Sequence, residues 1–248
     1  MAIIGIIGGS GLNNPDILVN PQDETVGTPW GEPSSPIKRG TIDGVSVVIL
    51  ARHGRDHTIP PSQVNYRANI DALKSAGCTH IIATTAVGSL REEIQRGDLV
   101  IIDQFIDFTK QRKMSFYESF EPHNPVHCPM ADPYDTRLRN ILITECQNLM
   151  FPFHKKGTVV TIEGPRFSTR AESIMFRTFG ADIINMSVAT ETSLANEAGI
   201  PYAAVAMSTD YDCWRNDEEP VSWEAIYKVF SENAARVTTL LKNCISKV

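Results

Sequence analysis

Two rhythms alternate along the chain. Short apolar, β-branched runs fall at residues 3–7, 45–51, 80–85, 99–106, 158–162, 182–184 and 202–207. Most are continuous rather than alternating, the pattern of strands covered on both faces. Between them, apolar residues recur at helical spacing over 65–76, 135–149, 170–179, 188–198 and 223–245. Gly77, Gly180 and Gly199 follow three of these segments, where a helix commonly stops on a left-handed glycine. No internal repeat, low-complexity tract or long linker divides the chain, so residues 1–248 predict a single α/β domain. Its sheet is expected to be mixed but mostly parallel, flanked by helices.

Composition adds boundaries rather than detail. A chain of 248 residues can bury a sizeable core, and 42% hydrophobic with 21% charged residues is ordinary for a soluble protein. A net charge of −6 argues against nucleic acid or an anionic membrane surface as partner, but leaves room for a local basic pocket. Cys78, Cys128, Cys146, Cys213 and Cys244 are scattered with no C-x-x-C pair, which points to reduced thiols rather than a disulfide framework or metal cluster. The segment MAIIGIIGGSGL has no basic n-region, and no stretch approaches the ~20 apolar residues that cross a bilayer. A cytoplasmic location is the expectation.

In a parallel sheet, ligands bind at the carboxyl ends of the strands. Five predicted strand ends carry polar or glycine-rich sequence: Gly8-Gly9-Ser10-Gly11, Arg52-His53-Gly54, Thr84-Thr85-Ala86, Asn185-Met186-Ser187 and Thr209-Asp210. The first exposes backbone amides beside the Ser10 hydroxyl, either as a cradle for a phosphate oxygen or as a plain tight turn. It is not a dinucleotide fingerprint, because the third glycine position is Asn14, and no Walker A sequence occurs. Arg52 offers a planar fork of donors and His53 one more, to phosphate or to a surface salt bridge. Thr85, Ala86 and Ser187 add hydroxyl and amide donors at two further strand ends. Jointly these residues describe a site for inorganic phosphate.

Two other stretches bear on a planar ligand. In Glu163-Gly164-Pro165-Arg166-Phe167-Ser168-Thr169-Arg170-Ala171-Glu172, Thr169 and Glu172 have the spacing of a helix capping box. Phe167 in that turn either stacks on a base or fills the core. Asp210 and Asp212 are two apart, so a strand continuing through them would point both carboxyl groups into one pocket. Crowded carboxyl groups split their pKa values, leaving one protonated near neutrality. Adenine presents an acceptor at N7 and a donor at its amino group, which such a pair could read. The competing reading of the pair is a metal site, with no histidine nearby in sequence.

The longer blocks GGSGL, LARHGRDHTIPPSQVNYRANIDALKSAGCTHIIATTAVGSLREEI, GDLVIIDQFID, TIEGPRFSTRAESIMFRTFGAD and AMSTDYDCW resemble the 5'-methylthioadenosine phosphorylases, a branch of the trimeric purine nucleoside phosphorylases. The likeness runs from about Ile3 to Trp214. It implies a nucleoside phosphorylase-like fold and a pentosyltransferase that converts methylthioadenosine and phosphate into adenine and 5-methylthioribose 1-phosphate, a step of purine and methionine salvage. It also implies a homotrimer that takes a small nucleoside and phosphate and needs no metal or organic cofactor. Residue by residue, it places phosphate on Ser10, Arg52, His53, Thr85, Ala86 and Ser187, and the ribose on Met186. The base lies by Phe167, with Ser168, Asp210 and Asp212 at its polar edge, and Asp210 supplies a proton or hydrogen bond to N7. His127 matches the histidine that reaches into a neighbouring subunit's site near the 5' group.

Departures gather at the 5' end. Trp223, Ile226 and Tyr227 stand where the family usually has aliphatic residues lining the 5' pocket, and some members extend beyond the position of Val248 with a segment that helps close it. Thr190 replaces a usual proline. Two rival readings follow: a phosphorylase acting on adenosine, on 6-oxopurine nucleosides or on 5'-methylthioinosine, and a non-catalytic nucleoside-binding protein on the same fold. An Asn at position 210 would suit a 6-oxopurine; Asp speaks for adenine.

Overall fold

The computed structural model describes residues 2–9, 17–217 and 221–248, so Ser10 lies outside the described residues. Eleven strands build one sheet: β1 (Ile3–Gly8), β2 (Val19–Glu24), β3 (Ile37–Ile42), β4 (Val45–Ala51), β5 (His80–Ser89), β6 (Leu99–Ile101), β7 (Gln104–Phe108), β8 (Phe153–His154), β9 (Thr158–Ile162), β10 (Ile183–Asn185) and β11 (Tyr202–Asp210). The helices are α1 (Tyr66–Ser75), α2 (Thr136–Asn148), α3 (Arg170–Thr178), α4 (Val188–Glu197) and α5 (Trp223–Ile245). Along the main path the strand order is β2-β3-β4-β1-β5-β10-β9-β7, while β11 lies between β5 and β6, and β6 pairs β8. Parallel pairing joins β1 to β4 and β5, β11 to β5, β9 to β7 and β10, and β6 to β8. Antiparallel pairing is confined to β2–β3–β4, β5–β10 and β6–β11. The mixed, mostly parallel α/β sheet expected from the chain is the one found.

Each expected helix starts and ends within one residue of its observed span. Local chemistry explains why. The side chains of Asn65, Asp135, Thr169 and Ser222 accept hydrogen bonds from first-turn amides, and Thr169 with Glu172 forms the full capping box. Residues 99–106 do not make one strand. The chain leaves β6 at Ile101 and begins β7 at Gln104, because β6 pairs β11 while β7 pairs β9, further along the sheet. Asp103 fills the gap by accepting from the Gly157 amide at 2.9 Å. The strands β2 and β3 carry no apolar signal of their own. VNPQDE is exposed throughout, at the sheet edge where a proline and charges are tolerated.

Side chains on the two faces of the sheet form separate cores. One packs β1, β4 and β5 against α1 and α4 through Ile7, Leu50, Ile70, Leu73 and Leu194. The other packs the opposite side chains of the sheet against α2 and α5 through Ile6, Leu142, Val205, Phe230 and Leu241. A smaller cluster around Phe176 seats α3 on β9 and β10. With both faces covered, the ends of the strands are where a ligand meets the sheet.

Gly9, just beyond β1, shows how close that end is packed. A Cβ there would sit 2.6 Å from the Thr84 carbonyl oxygen and 2.7 Å from Arg52 Nη1. Gly9→Ala therefore overpacks a rigid site, at an expected cost of roughly 1–3 kcal/mol in denaturant unfolding. An unchanged midpoint would mean that the turn gives way freely.

Candidate active site

The carboxyl ends of β4, β5, β10 and β11 converge on a cavity of about 410 Å³, within the ordinary range for a small-molecule site. Arg52 and His53 reach it from β4, Thr85 to Gly88 from β5, Asn185 to Ser187 from β10, and Thr209, Asp210 and Asp212 from β11. Phe167 and Ser168 enter from the turn before α3, and Trp223 and Ile226 from the first turns of α5. The sequence-predicted residues Arg52, His53, Thr85, Ala86, Phe167, Ser168, Met186, Ser187, Asp210, Asp212, Trp223 and Ile226 thus share one cavity. Two do not join them. Tyr227 does not line the cavity; it is 53% exposed and packs its ring on Trp223, because one residue further along a helix turns the side chain about 100° away. His127 is exposed on its own chain and contacts Phe120 instead.

One end of the cavity is built for an anion. Arg52 is 1% exposed, and its Nε and Nη2 bond the two carboxylate oxygens of Glu191 at 2.5 and 2.9 Å. Burial opposes its charge, but the Glu191 carboxylate outweighs that and holds the guanidinium pKa above its usual value. Nη1 donates to the Thr84 carbonyl at 2.8 Å. The expected fork therefore faces Glu191, and among the described residues two of the five guanidinium N–H groups remain uncommitted. Ser187 begins α4 without using its hydroxyl as a cap, and its amide is only weakly engaged, 3.4 Å from Asn185 Oδ1.

His53 is not the donor expected. Its Nδ1 lies 2.9 Å from the Ile59 carbonyl, which can only accept, so Nδ1 carries the proton. Burial, then Arg52, pushes its pKa down to about 3. A neutral ring with Nδ1–H leaves Nε2 as an acceptor. It suits a hydroxyl donor rather than a bare anionic oxygen.

At the other end, β11 stops at Asp210 and the backbone turns, with Asp212 in the left-handed region at φ 47°. The pair does not ride one extended strand, yet both carboxyl groups reach the cavity. Asp210 accepts from Thr209 Oγ1 and from the Asp212 amide, each at 2.8 Å. Burial raises its pKa to about 6; repulsion from Asp212 adds to the rise but is a lesser cause. Asp212 is also raised, again mainly by burial, against the Ser173 and Ser168 hydroxyls and nearby amide that lower it. Gly88 makes this closeness possible, since a Cβ on it would fall 2.9 Å from Asp210 Oδ1.

Phe167 is 38% exposed and lines the cavity, which favours stacking over core filling. Opposite the sheet, a ladder of rings runs His53–His57–Trp223 with centroid separations of 4.6 and 4.8 Å. The residues missed in the sequence are Glu191, Gly88 and His57. Of these, Glu191 sits in the first turn of a helix that is otherwise mostly buried, and a buried acid needs a partner.

A buried, ion-paired arginine and an acid of raised pKa share one cavity at the strand ends, an arrangement suited to a group-transfer enzyme of the α/β class. Residues 3–246 match the family model described as the phosphorylase superfamily, and the chain belongs to that family. It is 54% identical to the S-methyl-5'-thioadenosine phosphorylase of Xenopus tropicalis over 99% of this chain and 88% of that one. Among solved structures, the methylthioadenosine phosphorylase of Schistosoma mansoni in complex with adenine superposes with a TM-score of 0.95 at 42% identity, covering 99% and 91% of the two chains. A variant of the adenosine/methylthioadenosine phosphorylase of the same organism, in complex with methylthioadenosine, gives 0.92 at 40% identity over 99% and 91%. No helix of the described residues is long and apolar enough to cross a membrane.

The Asp210 environment makes stability depend on pH. A carboxyl raised on folding contributes stability that is complete below its unfolded pKa and is lost as pH rises through the folded one. From 3.8 to about 6, at roughly 1.4 kcal/mol per tenfold, the loss is about 3 kcal/mol. Asp210→Asn abolishes it. Thermal melts should therefore show the Tm of the variant rising relative to the parent between about pH 4 and pH 7, whereas a constant difference would contradict the raised pKa.

Proposed function

We propose that the chain carries out the phosphorolysis of 5'-methylthioadenosine, giving adenine and 5-methylthioribose 1-phosphate. The observation that carries this reading is the pairing, in one cavity, of Arg52 fixed by Glu191 with Asp210 raised to about 6. In this reading phosphate is held by Arg52, His53, Thr85, Ala86 and Ser187, with Ser10, outside the described residues, assigned to it by the resemblance alone. The two uncommitted guanidinium N–H groups and the Ser187 amide bind its oxygens, and neutral His53 accepts its P–OH through Nε2. Met186 lies against the ribose, and Phe167 against one face of the base.

Cleavage of the bond between C1' and N9 leaves positive charge on the ribose and an electron pair on the base, as in other glycosidic cleavages. Phosphate stabilises the cation and forms the new bond to C1'. Asp210 gives a proton or strong hydrogen bond to N7, and such assistance is worth on the order of 10²–10⁴ in rate. Asp212 and Ser168 frame the amino edge. No cofactor enters this scheme; phosphate is the co-substrate. The chain acts, in the same reading, as one domain in a cytoplasmic homotrimer, and the exposure of His127 away from its own cavity fits a contribution to a neighbour's site.

The direct test is release of adenine from methylthioadenosine with and without phosphate, beside adenosine, inosine and methylthioinosine. Phosphate-dependent release with methylthioadenosine preferred is expected; a strong preference for inosine, or no phosphate dependence, overturns the reading. Asp210→Asn should lose roughly 10²-fold or more on methylthioadenosine while gaining relative activity on 6-oxopurines. Full retention of adenine-nucleoside turnover would remove Asp210 from the proton-donor role.

A further inference from the structure

Arg112 lies in the loop after β7, lines no part of the cavity, and yet is buried, with its side chain 2% exposed. All five of its guanidinium N–H groups are engaged. Nη1 donates to the Met186 carbonyl and the Tyr66 hydroxyl, both at 2.7 Å. Nη2 donates to the carbonyls of Glu163 at 2.7 Å and Ile162 at 3.4 Å, and Nε to the Glu163 carboxylate at 3.1 Å. Tyr66 in turn shares its hydroxyl proton between the carbonyls of Pro61 and Met186, each 3.2 Å away. A single planar group thus joins three segments: the start of α1 at Tyr66, which itself bonds Pro61 of the cavity-lining loop before it, the strand end at Met186, and the turn leading to Phe167 and Ser168.

The join is tight where it matters. Gly164 has φ 68°, and a Cβ on it would lie 2.5 Å from Met186 Sδ. The turn from β9 and the Met186 side chain therefore touch, with Arg112 holding the backbone of both. The anion end is anchored by other bonds. Arg52 is held by Glu191 and Thr84, and the Ser187 amide turns towards the side chain of Asn185, which is fixed by Thr161 and Thr85. The two frameworks that support the two ends of the cavity meet at one peptide group, whose carbonyl (Met186) faces Arg112 and whose amide (Ser187) faces Asn185.

We propose that Arg112 is a positioning residue for the nucleoside half of the site, setting the distance between the ribose-facing Met186 and the base-facing turn at Phe167 and Ser168. The proposal rests on the nucleoside–phosphate assignment above. Lysine cannot replace the guanidinium, since a point charge with three protons does not span five acceptors on three segments. A misplacement of about 1 Å in such a frame can cost as much as 10²-fold.

The experiment compares the parent enzyme with Arg112→Met, Arg112→Lys and Glu163→Gln. KM is measured separately for methylthioadenosine and for phosphate, and Tm is recorded for each protein. The expected result is a nucleoside KM raised about tenfold or more in Arg112→Met, with a clearly smaller rise in phosphate KM, since only the Met186–Ser187 peptide links Arg112 to the anion end. Arg112→Lys should recover part of that loss. Glu163→Gln removes the charge and leaves one oxygen where two now serve Arg112 Nε and the Lys110 and Gln111 amides; it should give a smaller rise of the same selectivity, and it carries the test if Arg112→Met fails to fold. Parallel changes in the two KM values, or none, in a folded variant overturn the proposal. Failure of the parent enzyme to release adenine overturns the substrate assignment instead, and calorimetric binding of methylthioadenosine to the same proteins then decides the positioning role.

Discussion

The buried pair Arg52–Glu191 is the interaction on which the arrangement of this protein turns. Its cost is large, because each charge loses its water, and buried ions forfeit several kcal/mol apiece even after the protein relaxes. Geometry offsets that cost. Two near-parallel N–H···O bonds join the groups, Tyr202 donates to Glu191 at 2.8 Å, and Thr84 takes a further guanidinium proton. These partners come from β4, β5, β11 and α4, so satisfying one charge fixes the mutual placement of four elements. The absence of a side chain at Gly9 leaves the guanidinium its space.

A positive charge held this way is rigid before any ligand arrives. Preorganisation of that kind is what makes an electrostatic site effective, since no dipole has to turn during the reaction. At the far end of the cavity the same low polarity acts in the opposite sense. It raises the Asp210 carboxyl to about 6 and favours a proton on it. One poorly solvated cavity thus keeps a cation charged at one end and draws an acid towards neutrality at the other. The difference is the partner: Arg52 has a carboxylate in direct contact, whereas Asp210 bonds neutral donors beside a second acid, and Arg96 lowers it only weakly.

His53, His57 and Trp223 stack in series, and Tyr227 continues the ladder outward to solvent. An aromatic face at this end offers a polarisable surface, which suits a thioether better than a hydroxyl.

Local rules written in the chain were enough for the helices and for most buried strands. Capping residues at 65, 135, 169 and 222, glycines at 77, 180 and 199, and continuous apolar runs act over a few residues and need no distant partner. The candidate site was legible for the same reason, because its residues sit at the ends of those runs. What the sequence could not settle depends on partners far away in the chain. Exposed edge strands such as VNPQDE exist only because β3 presents a ladder to pair with. Glu191 meets Arg52 from 139 residues away, and Arg112 joins carbonyls 50 to 74 residues distant. The sequence by itself determined the class of fold, the candidate anion donors and the acid at position 210. Tertiary structure alone decided that the arginine fork faces inward, that His53 spends its Nδ1 proton on the Ile59 carbonyl, and that burial more than charge repulsion raises Asp210. Donor direction and desolvation are properties of surroundings, and surroundings come into being only when the chain has folded.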